Sequence, residues 1–313
     1  MSTVVVTGAA GLVGQTLIPR LKARGHHVIG IDKHPTNTAR LRSLHPDVEV
    51  IEADLAQPGA SQPADWTRAF ETADAVVVNQ AQINGLDRAA FVANNVVATG
   101  NILDAMARHG TPYFVQISSS VVNSKAQDLY VETKTAQEKL VDACPIPHLV
   151  LRPTLMFGWF DRKHLGWLRR FMDRTPVFPI PGDGRFRRQP LYAGDFTAVI
   201  AAALDQRITG TYDISGRTEI AYVDLIAAIR RITQARARIV HIPYGLFWGL
   251  LWLYARFDAN PPFTTHQLEA LAIPEVFPVI DWPATFGVTE TPLEQALSET
   301  FLDPRYSQIV LDF

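Results

Sequence analysis

Cysteine is nearly absent. Cys144 stands alone in 313 residues, so no internal disulfide can form and a reducing, cytoplasmic setting is expected. Its place before Pro145 reads as a small buried apolar residue rather than a nucleophile. Charge of either sign is in no excess: 29 Lys and Arg face 31 Asp and Glu, a net charge of -2. That balance gives no electrostatic case for nucleic acid or an anionic membrane as a partner. Long apolar runs are missing too. The most apolar segment, Tyr244 to Phe257 (YGLFWGLLWLYARF), is too short to cross a bilayer of ~30 Å. Its aromatics and leucines sit at helical spacing, so burial or self-association as a helix is expected ahead of a membrane interface. The histidines show no metal-ligand spacing, and adjacent His26 and His27 point to opposite faces of a strand start. The N-terminus runs directly into a strand pattern, so no signal peptide is expected.

What is present is an alternation of short β-rich runs with helical patterns. Thr3 to Thr7, His27 to Ile31, Val48 to Ile51, Ala75 to Asn79, Phe114 to Ile117 and His148 to Arg152 read as strands. Leu12 to Arg24 and Ala89 to Arg108 read as helices between them. Nearly continuous apolar strands separated by helices predict a parallel sheet covered on both faces, with ligands at the edge where the strands end. From about Phe157 the rhythm breaks. The loop TPVFPIPGDG (residues 175–184) carries three prolines and two glycines, which neither a helix nor a central strand accommodates. A strand at Pro190 to Ala193, a helix at Asp195 to Asp205 and a strand at Thr211 to Ile214 follow. The expected class is α/β: a Rossmann-type doubly wound parallel sheet over residues 1–157, to which some later segments return. Residues 158–313 then form a smaller, irregular C-terminal substrate-binding portion.

The first strand leads into Thr7-Gly8-Ala-Ala-Gly11-Leu12-Val13-Gly14 and then a helix. Gly8 permits the tight turn, Gly11 lets a pyrophosphate approach the backbone, and Gly14 lets helix pack on strand, with the helix N-terminus turned to the phosphates. Asp32 closes the second strand about 20 residues on, where a carboxylate accepts from both ribose hydroxyls and repels a 2′-phosphate. NAD is therefore expected over NADP, with Lys33 and His34 placed to soften the preference. Asp54, in Glu52-Ala53-Asp54-Leu55, is placed to accept from the adenine amino group. Farther on, SSSVVNSKAQDLYVETK (residues 118–134) sets Tyr130 and Lys134 four apart, on one helix face. A phenol near pKa 10 is a poor proton shuttle at neutral pH, and an adjacent ammonium would bring it toward the working range.

TGAAGLVG, Asp32, ADL, NNVVATGNILDAM, ISSS, YVETK and LRPTLMFG follow one another in an order and spacing that resemble the short-chain dehydrogenase/reductase superfamily. Within it, the chain is most similar to the extended branch, the NAD-dependent epimerase/dehydratase family. The resemblance implies Tyr130 as acid/base, Lys134 as its partner and holder of the nicotinamide ribose, and Ser120 as the assisting hydroxyl, with Ser119 the runner-up. It carries the cofactor contacts to Gly8, Gly11, Leu12, Val13, Gly14, Asp32, Asp54, Leu55 and Ala81, beside Tyr130 and Lys134. It also implies substrate contacts at Ser119, Asn95 and Arg188, the last gripping the diphosphate of a sugar nucleotide, and it implies a possible homodimer. The reading of the residues themselves gives Asn95 a tethering role and leaves Arg188 open between clamp and solvated basic loop.

The chain departs from the family pattern in two ways. Val121 and Val122 follow Ser120 where 4,6-dehydratases carry an acidic pair, and only ten residues separate Ser120 from Tyr130 where sugar-nucleotide epimerases have a longer loop. The leading expectation is an NAD-dependent epimerase or alcohol/ketone oxidoreductase acting on a nucleotide sugar. Two alternatives stand beside it. The pieces FPIPGDGRFRRQPLYAGD and PPFTTHQLEAL resemble the group containing the complex I accessory NAD(P)-binding subunit, whose members often hold a nucleotide without turnover. The other alternative is a reductase of a small apolar ketone, with residues 244–257 lining an apolar pocket.

Overall fold

A computed structural model describes residues 2–62, 64–124, 128–161, 164–254, 256–257, 264–272 and 276–312. The first half alternates β1 (Thr3–Thr7), α1 (Leu12–Ala23), β2 (His27–Asp32), α2 (Pro35–Leu44), β3 (Glu49–Glu52) and β4 (Ala75–Val78). There follow α3 (Arg88–Phe91), α4 (Ala98–His109), β5 (Phe114–Ile117), α5 (Leu129–Asp142) and β6 (His148–Pro153). The second half holds β7 (Met156–Phe157), α6 (Leu165–Arg174), β8 (Val177–Pro181), β9 (Arg187–Arg188), β10 (Leu191–Tyr192) and α7 (Ala193–Gln206). It continues through β11 (Gly210–Ile214), β12 (Ile220–Ala221), α8 (Tyr222–Thr233), β13 (Arg238–Ile242) and α9 (Tyr244–Tyr254). Last come α10 (Thr265–Ala272), α11 (Trp282–Phe286) and α12 (Leu293–Leu302).

Seven strands make one sheet in the order β11-β6-β5-β4-β1-β2-β3. Every pairing in it is parallel. All strand C-termini therefore lie along one edge, and the order reverses between β1 and β4, which opens a crevice above that junction. Alternation along the strands builds two cores. Val4, Val6, Val77, Val115 and Leu151 face α1 and α7, while Val5, Val76, Val78, Phe114 and Val150 meet Trp66, Phe70, Ile102 and Met106 on the other side. The smaller C-terminal portion has its own core of Phe178, Ile180, Leu225, Ile226, Ile229, Leu297 and Phe301.

Three differences from the sequence expectations matter. The helix expected from Ala89 to Arg108 is α3 and α4 joined through a π-helical segment, Val92–Val97, and Asn95 within it is fully buried. The strand expected at Thr211 to Ile214 returns to the main sheet as β11, beside β6. The apolar segment expected to be buried or to self-associate is α9, none of whose residues is buried within the chain. A helix apolar on every side presents at most one face to a domain. Here α9 meets α10 through the Trp248 indole N–H, which donates to Glu269 Oε1 at 2.9 Å. Residues 261–263 of PPFTTHQLEAL lie outside the described residues.

Candidate active site

The turn after β1 is built for close approach. Gly8 sits at φ +59°, and a Cβ there would come within 2.9 Å of the Gln80 backbone. A Cβ on Gly14 would lie 2.5 Å from the Ala9 carbonyl oxygen, so only glycine lets α1 rest on this turn. Gly11 differs. It is the N-cap of α1, in ordinary extended backbone (φ −80°, ψ 176°), with no side-chain cap and no acidic residue in the first turn. A Cβ there would meet only the Gly8 carbonyl, at 3.3 Å, and would otherwise project into the space the turn leaves open. The backbone N–H groups of Leu12 and Val13 thus begin a helix with no carboxylate competing for its positive end. This cradle fits the diphosphate of a dinucleotide.

Asp32 ends β2 and ties that strand to the turn: Oδ2 accepts from the Ala10 N–H and Oδ1 from the His34 N–H, both at 3.0 Å. Burial pushes its carboxyl above the ordinary range, while those backbone bonds pull the other way. A carboxylate has about four acceptor positions, so these backbone contacts leave room for a ribose hydroxyl. The basic side chains beside it are already engaged. Lys33 Nζ donates to Asn94 Oδ1 at 2.6 Å and lies 3.5 Å from Asp54 Oδ2. His34 caps α2, its Nδ1 accepting from the Asn37 N–H at 3.4 Å. Asp54 accepts from the Ala56 N–H at 3.0 Å, Leu55 is buried, and Ala81 lies exposed on the β4 side of the crevice.

Asp128 caps α5, accepting from the Val131 N–H at 2.8 Å, and so sets the turn that carries Tyr130. Ser119 is the serine whose side chain acts on the phenol, favouring its ionised form. Ser119 ends the extended run after β5 and caps the 3₁₀ turn Ser120–Asn123, whereas Ser120 is already inside that turn. Of the two serines, Ser119, the runner-up for the assisting hydroxyl, is the one within reach of Tyr130, with Ser120 set inside the turn. The direction of the tyrosine's shift also differs from expectation. Burial pushes the phenol up, with Asp128 adding to the rise and Ser119 opposing it.

Lys134 lies one turn farther along and is almost fully buried. Its ammonium donates to the Ile117 carbonyl at 2.8 Å and to Gln137 Oε1 at 2.5 Å. Burial lowers it to about 7, with Glu138 resisting the fall. Gln137 passes the contact on, its Nε2 donating to Thr99 Oγ1 at 2.7 Å, and Gln80 Nε2 reaches the same hydroxyl at 3.1 Å. Thr7 at the end of β1 donates to Gln80 Oε1 at 2.6 Å. A buried chain of amides and hydroxyls thus runs from the lysine to the glycine turn. One helical turn beyond, Glu138 takes Arg152 in a fork at 2.9 and 2.6 Å and is also bonded by the Ser118 hydroxyl. Sequence reasoning passed over Gln137 and Glu138, although Tyr130, Lys134 and Glu138 share one helix face at four-residue spacing.

Asn95 does not offer its amide to the crevice. Oδ1 accepts from the Gln82 N–H at 2.6 Å, and Nδ2 donates to the Gln82 carbonyl at 3.1 Å and to Thr133 Oγ1 at 2.9 Å. It pins the loop after β4 to α5. Arg188 is buried, donating to the Arg187 carbonyl at 2.9 Å and to the Leu271 carbonyl of α10. Beside Tyr130 an open groove of about 800 Å³ is lined by Ile83, Leu86, Phe91, Leu129 and Val131, with Arg88, Asp128 and Glu132 along it. Arg88 and Glu132 are paired to each other. Among the described residues no cluster of His, Cys, Asp and Glu could hold a metal, and no helix is long and apolar enough to cross a membrane.

A parallel sheet with a glycine turn at its order reversal, and a Tyr-x-x-x-Lys helix across the crevice, defines a short-chain dehydrogenase/reductase architecture. Residues 4–215 match the model of the NAD dependent epimerase/dehydratase family, and the chain belongs to that family. It is similar to a "2-alkyl-3-oxoalkanoate reductase" of Stenotrophomonas maltophilia, 25% identical over 94% of this chain and 97% of that one. It is also similar to a "3 beta-hydroxysteroid dehydrogenase/Delta 5-->4-isomerase" of Mycobacterium tuberculosis, 31% identical over 160 residues; that match spans 45% of this chain and only 42% of the relative. Among solved structures, UDP-glucuronic acid 4-epimerase of Bacillus cereus in complex with NAD superposes with a TM-score of 0.65 at 25% identity. It covers 77% of this chain and 86% of its own.

Proposed function

We propose that this enzyme interconverts a ketone and a secondary alcohol on a largely apolar molecule, with NAD(H) as hydride partner. The observation that carries the reading is the groove: Tyr130 opens onto a space of about 800 Å³ in which Ile83, Leu86, Phe91, Leu129 and Val131 make up half of the lining residues, with Arg88, Asp128 and Glu132 beside them. That size suits a drug-sized or longer-chain molecule. The residue that would clamp a sugar diphosphate, Arg188, spends its donors on backbone carbonyls within the C-terminal portion. A guanidinium so engaged would have to break those bonds to reach a diphosphate. The full-length likeness to a reductase named for an alkyl oxo-acid points the same way.

The chain's own groups account for the proton. Tyr130, kept protonated by burial, is poised to donate to the carbonyl oxygen during reduction, and the nearby Ser119 hydroxyl would orient that oxygen. Lys134 holds its ammonium beneath the site through Ile117 and Gln137. Bound NAD(H) would supply or accept the hydride. Leu12 and Val13 would hold its diphosphate, Asp32 the adenosine ribose, and Asp54 with Leu55 and Ala81 the adenine. NAD is favoured over NADP because Asp32 would repel a 2′-phosphate and Lys33 and His34 are already committed. A nucleotide-sugar epimerase is the second reading, favoured by the likeness to UDP-glucuronic acid 4-epimerase.

A redox screen separates the two. NADH oxidation by long-chain 3-oxo acids or hydroxysteroid-type ketones, with none by UDP-sugar ketones, supports the first. UDP-sugar epimerisation without any turnover of apolar ketones overturns it.

A further inference from the structure

The sheet order places β4, β1 and β2 side by side, with β1 in the middle. A side-chain bridge from the residue after β2 to the segment after β4 must therefore cross above the C-terminal end of β1 and its glycine turn. Lys33 follows β2 directly, and Asn94 lies in the π-helical segment after β4. Their side chains meet at 2.6 Å across 61 residues of sequence. The crossing is braced at both feet. Asn94 Nδ2 donates to Gln82 Oε1 at 3.0 Å, and Gln82 is itself clamped by Asn95 at 2.6 and 3.1 Å. On the other side Lys33 Nζ lies 3.5 Å from Asp54, the acid after β3. The bridge thus runs between the strand end that carries Asp32 and the wall of the crevice opposite.

We propose that Lys33 and Asn94 form a clasp over the adenosine half of the bound dinucleotide, closing the crevice above the ribose and setting the rate at which the cofactor leaves. The proposal rests on the assignment of a dinucleotide to this crevice. A lysine serves here because it is long and carries three donors, enough to take Asn94 and lean on Asp54 together. Because the clasp spans the entrance, the cofactor must open it both on entry and on exit. Removing it then speeds both steps, and the dissociation rate changes more than the equilibrium affinity.

The test is stopped-flow NADH fluorescence on the whole chain with Lys33→Ala, Asn94→Ala and the double variant. Lys33 is half exposed, and its removal leaves the fold intact, which a cofactor-free melting curve checks. The loss of one charge-assisted hydrogen bond predicts a rise of about five- to tenfold in the NADH dissociation rate. Either single variant should show it, the double variant no more than either single, and Kd should rise by less than the rate does. An unchanged dissociation rate overturns the clasp. So does a double variant whose effect is the product of the singles with Kd moving in step, the signature of two independent contacts. Weakened NADPH binding with NADH untouched in Lys33→Ala also overturns it, because Lys33 would then be a 2′-phosphate receptor. If the unaltered chain binds neither dinucleotide, the cofactor assignment itself fails, and that result is distinct from all of these.

Discussion

Two glycines three residues apart should fail in opposite ways when each is replaced by alanine. At Gly14 the added methyl would sit 2.5 Å from the Ala9 carbonyl oxygen and 2.6 Å from the Ala9 Cα and the Gly8 oxygen. Those are backbone atoms of the turn itself, so nothing can swing aside and α1 must lift by most of an ångström. Overpacking of this kind costs about 1–3 kcal/mol or somewhat more, offset by up to ~1 kcal/mol of helix propensity. A net loss near 2 kcal/mol lowers the melting temperature of a chain this long by roughly 3 °C. At Gly11 the backbone is one alanine adopts freely, and the methyl meets only the Gly8 oxygen at 3.3 Å. The fold should be unmoved within about 0.5 kcal/mol. Cofactor binding should instead collapse, because the methyl occupies the approach of the phosphates. A loss of at least about a hundredfold in NADH affinity is expected, equivalent to ~2.7 kcal/mol. Thermal melts without cofactor and NADH titrations read the two effects separately. Equal destabilisation by both substitutions, or unchanged NADH affinity in Gly11→Ala, would refute the reasoning.

Other outcomes follow from the same geometry. Tyr130→Phe should lose about 10²–10⁴-fold in turnover while NADH affinity stays within about twofold, read by steady-state rates and titration. Ser119→Ala should depress turnover more than Ser120→Ala, since Ser119 is the serine that acts on the phenol; the opposite ranking in kcat would give Ser120 the role. Lys134 titrates near 7 in the fold against 10.5 in the unfolded chain. Between those values the unfolded chain binds more protons, so this lysine's contribution raises stability with rising pH and is lost as pH falls toward 7. Denaturant unfolding at pH 7.5 and 9.5 should show a gain of about 1–2.5 kcal/mol that Lys134→Met abolishes.

The sheet was legible because its signal is local and redundant: strands such as TVVVT and AVVV have few other ways to be buried. The glycine turn was legible for the same reason, each glycine answering to one steric demand. The helix bearing Tyr130 and Lys134 was readable from their four-residue spacing taken together with the glycine turn and the serine-ended strand before it. Which serine faces the phenol was not, because it depends on where the extended run after β5 gives way to a 3₁₀ turn. Nor could spacing reveal that Lys134 hands its proton contacts to Gln137, Thr99 and Gln80, three elements joined only by the fold. Arg188 stayed open in the sequence for a related reason. A basic cluster in a loop looks free for a ligand until the α10 carbonyl that occupies it is in place. At α9 composition left burial and self-association open together, because an apolar helix is buried only where something packs around it.

The central claim is that Tyr130 delivers a proton to a carbonyl on an apolar substrate while NADH delivers the hydride. Its most direct test is to supply NADH deuterated at the transferring position together with a long-chain 3-oxo acid and to analyse the product by mass spectrometry. The account predicts one deuterium on the carbinol carbon with the unaltered chain and almost none with Tyr130→Phe. Bound NADH that passes deuterium to no ketone, or equal transfer by Tyr130→Phe, would contradict it.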